Sequence, residues 1–150
     1  MRMLQNKGFS VIELLVTIAI LGMLLGVSVV SFASYNRRQA VFATAAAVGQ
    51  SLRDARARTL ASVAGSQYGV KVDGDRFTFF QGSVFSSSTP TNNTFMYASG
   101  VSASSSISTF IFERVTGNSS ASGTISVYQT SSANVVKYVK VQTTGLVSIL

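Results

Sequence analysis

From Phe9 to Asn36 the chain carries one charge, the carboxylate of Glu13, in a stretch that is otherwise apolar, small or uncharged. As a helix the 25 residues Phe9 to Ala33 span about 37 Å at roughly 1.5 Å per residue, more than the ~30 Å hydrocarbon core of a bilayer. Such a segment is long and greasy enough to cross a membrane once. A carboxylate inside it costs about 2.5–3.5 kcal/mol at mid-bilayer, so Glu13 calls for a partner or a task that offsets the burial.

The helical pattern continues past the apolar run. Val41, Ala45, Val48, Leu52, Ala55, Thr59 and Val63 recur at spacings of three and four, which predicts one buried stripe. No proline occurs before Pro90, and the run Ala43 to Ala47 favours helix, so one helix is expected from about Phe9 to Ala64 with Gly65 as its stop. Gly22 and Gly26 have the small-xxx-small spacing that lets two apolar helices approach closely.

Beyond Gly65 the period changes to that of strands. Gln67 to Val72 and Arg76 to Phe80 flank Asp73-Gly74-Asp75, a hairpin signal. Further strands are expected at Thr94 to Tyr97, Ile107 to Glu113, Thr124 to Tyr128, Val135 to Val141 and Leu146 to Ile149. The Ser/Thr-rich tract Ser83 to Thr94 and the polar patch Ser102 to Ser106 read as exposed loops. The fold class is therefore α+β: a long amino-terminal helix whose second half packs on an antiparallel β-sheet domain.

Composition narrows the function. The chain has no cysteine and no histidine and only five acidic residues, so thiolate and zinc sites and most general bases are missing. No enzymatic activity, metal or cofactor is expected. The net charge of +7 falls to +5 if Arg2 and Lys7 leave with a short leader, an excess that says more about partners than about fold.

A basic leader ending in Gly8, then Phe9, then Glu13, then an apolar helix, resembles the type III signal of type IV pilins and type II secretion pseudopilins. The resemblance implies that prepilin peptidase cuts between Gly8 and Phe9 and that Phe9 is then N-methylated. It implies that Glu13 is the assembly residue, meeting the amino terminus of a neighbouring subunit. It further implies a bacterial inner-membrane protein with its carboxy-terminal domain in the periplasm, passed through an inner-membrane assembly platform to other pilin or pseudopilin subunits. Pilins often carry a proline about eight residues after a glycine near position 22; here that position is Val30.

The segments follow: leader 1–8, membrane and assembly helix 9–34, amphipathic continuation 35–64 and β-rich domain 65–150. Ser51 to Arg56 on the helix and the terminal strand-turn-strand Val139 to Val147, with Gly145 at its turn, are similar to the GspH/FimT type of minor pseudopilins and minor pilins. The leading reading is a structural subunit of a type II secretion pseudopilus or a type IV pilus. The alternatives are a major pilin, or a minor pilin that binds DNA during uptake. For DNA the candidates are Arg38, Arg53 and Arg56, within about a 60° arc of the helix at ~100° per residue, and Lys137 and Lys140 near the carboxy terminus. Arg58, four residues after Asp54, has the spacing of an intrahelical ion pair.

Overall fold

The computed structural model describes residues 8–150; side chains are not described for residues 27–33 and 132–135. The leader residues 1–7 lie outside the described residues. The chain divides into two compact units, Met1–Asn36 and Arg37–Leu150, and the division falls inside the single long helix, α1 (Val11–Leu60).

In the larger unit the expected stripe is the buried face of α1. Val41, Ala45, Val48, Leu52, Ala55 and Thr59 are all fully buried, whereas Val63 lies beyond the helix and is exposed. The helix stops at Leu60, earlier than Ala64. Thr59 explains the early stop: its hydroxyl donates to the Ala55 carbonyl at 2.8 Å and accepts the Tyr68 N–H at 2.9 Å, so the last turn is tied to the first strand. To reach that strand within eight residues, Ser62, Ala64 and Gly65 all take positive φ around a 3₁₀ turn at Val63–Gly65.

Two antiparallel four-stranded sheets form the rest of the unit. The first has the order β3 (Asn93–Met96), β2 (Arg76–Gln81), β1 (Tyr68–Val72), β5 (Thr109–Ile111). The second has the order β4 (Val101–Ser105), β6 (Gly123–Gln129), β7 (Ser132–Val141), β8 (Val147–Ile149). The β1–β2 hairpin forms as the Asp-Gly turn predicts, with Val72 opposite Phe77 and the Asp73 N–H donating to the Arg76 carbonyl at 2.9 Å. The helix stripe packs into one core with Val70, Val72, Phe77, Phe110, Phe112, Ile125, Val127, Val139 and Val141. Gly49 lets α1 lie close to β8, since a Cβ there would sit 2.8 Å from Ile149 Cδ1.

The polar patch Ser102 to Ser106 is not a loop. Most of it belongs to β4, where Val101 and Ala103 point into the core and Ser102 and Ser104 point away. A strand whose inward residues include an alanine and whose outward residues are serines carries little apolar signal, although its alternation is regular. The longer Ser/Thr tract is mostly irregular, and its Phe85 packs in a T-shaped contact with Phe80 at 5.3 Å. Among the described residues no helix is long and apolar enough to cross a membrane.

Candidate functional site

At the amino terminus Gly8, Phe9 and Ser10 precede the helix. The Ser10 carbonyl accepts the N–H groups of Glu13 at 3.1 Å and Leu14 at 3.2 Å, which puts Ser10 at the N-cap and Glu13 in the first turn. Ser-x-x-Glu is itself a helix-start pattern, and an acid here gains about 0.3–1 kcal/mol from the helix dipole. Glu13 therefore has a local role at the helix start that is legible in the sequence. Its side chain is exposed, and the ion pairs among the described residues are Lys71–Asp73 and Arg76–Asp75.

Every large apolar side chain from Phe9 to Leu25 is more than half exposed, Phe9 at 79%. They lie all round the helix, so this half lacks the polar face of a helix that is stable at a water-facing surface. Gly22 and Gly26 face open space: a Cβ at either would meet nothing within 4 Å. Both glycines thus leave room for the close approach of another helix. The backbone of Val30 belongs to α1; its side chain is among those not described.

The basic candidates are distributed differently. Arg56 donates from Nε to the Gly117 carbonyl at 3.0 Å and from Nη2 to the Thr144 carbonyl at 3.4 Å, and Arg53 donates from Nη2 to the Val147 carbonyl at 3.4 Å. Both hold the turn between β7 and β8 to the helix. At Gly145, in that turn, φ is +76° and a Cβ would run into the Gly117 carbonyl and the Arg56 guanidinium. Lys137 lies 5.1 Å over the ring of Phe42 on α1, while Lys140, an odd number of residues away, is on the opposite face of β7. Arg38 is exposed on α1. Lys137 and Lys140 thus lie on opposite faces of the second sheet.

The Asp54–Arg58 pair is absent among the described residues. Asp54 accepts a hydrogen bond from Gln50 Nε2 at 2.9 Å, and the Arg58 guanidinium sits 5.3 Å over Phe79. The helix spacing permitted the pair, but an aromatic ring arriving from β2 takes the arginine instead. Elsewhere the hydrogen bond from Arg76 holds the exposed Asp75 carboxyl below its usual range. Burial, helped by Asp73 and Asp75, pushes the Tyr97 hydroxyl up.

Comparison with known proteins draws these observations together. Residues 3–29 match the prokaryotic N-terminal methylation motif. The fold is similar to that of the type IV minor pilin FimU of Pseudomonas aeruginosa, at 14% identity over 79% of this chain and 92% of that one, with a TM-score of 0.60. It is also similar to the minor pseudopilin EpsH of the type 2 secretion system of Vibrio cholerae, at 17% identity over 73% of this chain and 95% of that one, with a TM-score of 0.57. No functionally curated protein matches the sequence. The motif is the one that precedes N-terminal methylation in prokaryotic proteins, and the fold is similar to those of a type IV minor pilin and a type 2 secretion minor pseudopilin.

Proposed function

We propose that the chain is a subunit of the type IV pilin and pseudopilin family, a minor pseudopilin or minor pilin, cut by prepilin peptidase between Gly8 and Phe9, methylated at Phe9 and assembled through the first half of α1. The observation that carries the reading is that half of the helix: apolar on all sides, with exposed side chains and a carboxylate in its first turn. Before assembly the run Phe9 to Ala33 anchors the subunit in the inner membrane, with the carboxy-terminal domain in the periplasm. The length and apolar character of the sequence support this. In the filament, protein contacts from neighbouring helices replace lipid.

Glu13 then pairs with the amine of a neighbouring Phe9. The local helix-dipole gain of about 0.3–1 kcal/mol is smaller than the ~2.5–3.5 kcal/mol cost of a carboxylate at mid-bilayer, so capping alone does not account for the residue. Breaking one member of a buried pair costs roughly 3–5 kcal/mol, enough to fix axial register. The role is structural rather than enzymatic, and the machine is a type II secretion pseudopilus or a type IV pilus. Glu13→Ala is expected to leave the amount of membrane-held subunit unchanged while reducing its recovery in sheared filaments or pseudopili. Recovery at the normal level would sink the proposal.

A further inference from the structure

The Ser/Thr-rich loop after β2 folds over the face of the first sheet that points away from the helix. With that sheet it encloses a cleft of about 320 Å³ lined by Lys71, Asp73, Arg76, Phe85 and Asn92, among others. The cleft is built from residues held in place. Phe85 is fixed by Phe80, whose ring stands nearly perpendicular to it at 5.3 Å, and by the ammonium of Lys71, which stands 4.8 Å from its ring centre. Asn92 braces the loop by donating from Nδ2 to the Ser86 carbonyl at 2.7 Å, and Thr78 and Thr94 share a hydrogen bond at 3.1 Å across the strands. The Asn92 Oδ1 is buried with no donor among the described residues.

We propose that this cleft binds a neutral saccharide unit of a glycan chain. Its two cations are already matched: Lys71 Nζ lies 3.1 Å from Asp73 Oδ1, and Arg76 makes a two-point contact with Asp75 at 2.7 and 2.9 Å. No excess positive charge is left to favour a phosphate or a uronic acid. What remains is a dense set of donors and acceptors beside an aromatic ring. Sugar hydroxyls both donate and accept, so they suit a lining of carboxylate, guanidinium, amide and threonine oxygens. The volume lies at the lower end of small-molecule sites, the scale of one or two rings. The proposal does not depend on the assembly reading, because it rests on residues of the folded unit alone.

The test is saturation-transfer NMR on the full chain in detergent. Maltose, cellobiose and lactose are the neutral probes, with glucuronate and inorganic phosphate as charged ones. At least one neutral disaccharide is expected to bind saturably. Binding should weaken about tenfold or more, the scale of one lost charged hydrogen bond, in Arg76→Ala and Asn92→Ala. It should be unchanged in Thr143→Ala, which alters a separate groove at the end of the second sheet. Arg76 is exposed, so its removal leaves the core intact. Failure of all three disaccharides to bind, preference for the charged probes, or equal binding by the cleft variants would overturn the proposal.

Discussion

Within α1, residues 11–26 and residues 37–60 are both rich in apolar and small side chains, yet the two stretches are patterned differently. In the second, apolar side chains return every three or four residues, and Val41, Ala45, Val48, Leu52 and Ala55 vanish into the core of their own unit. In the first, apolar residues fill nearly every position and stay exposed. A stripe can be satisfied by one sheet inside one chain; a helix that is greasy on every side needs partners all round. On the proposed function the first stretch meets lipid and then other subunits, whereas the second packs on its own β-sheets.

Substitutions on the two sides of that contrast should behave in opposite ways. Leu52→Ala should destabilise the folded unit by about 2–5 kcal/mol, because Leu52 is fully buried among strands, and thermal denaturation would read the loss. Leu21→Ala should leave the same transition in place and lower recovery in the filament; a comparable melting shift for both would erase the distinction. Gly145→Ala comes next, at more than ~1 kcal/mol, since it combines a positive φ with a collision against Gly117 and Arg56. Arg56→Met should cost about 1 kcal/mol through the loss of hydrogen bonds to the Gly117 and Thr144 carbonyls, measured by urea denaturation. The smallest effects concern the helix surface. Arg58→Ala should cost about 0.5 kcal/mol for its contact with Phe79, and the double variant with Asp54→Ala should be additive within ~0.3 kcal/mol. Measured coupling between the two would restore the intrahelical pair.

What could be read from the sequence was local. The stripe from Val41 to Thr59 and the Asp-Gly hairpin depend on neighbours a few residues apart, and both stand in the structure. The Phe9 to Glu13 motif is legible for the same reason, as is the Ser10-Glu13 helix start. Distance along the chain hid the rest. Arg56 reaches carbonyls 61 and 88 residues away, so a candidate for DNA contact by its place on the helix also fastens the terminal turn. Gly145 was visible as a turn residue, but the crowding that requires glycine comes from Gly117 and Arg56. Strand β4 escaped because Ala103 and its serine neighbours carry so little apolar weight. The helix ended early because the buried Thr59 had to meet Tyr68.

The central claim is that the first half of α1 enters the filament after its leader has been removed. Mass spectrometry of the chain recovered from the membranes of its own cells tests that claim most directly. The account predicts a species that begins at N-methylated Phe9; a chain that still begins at Met1 would contradict it.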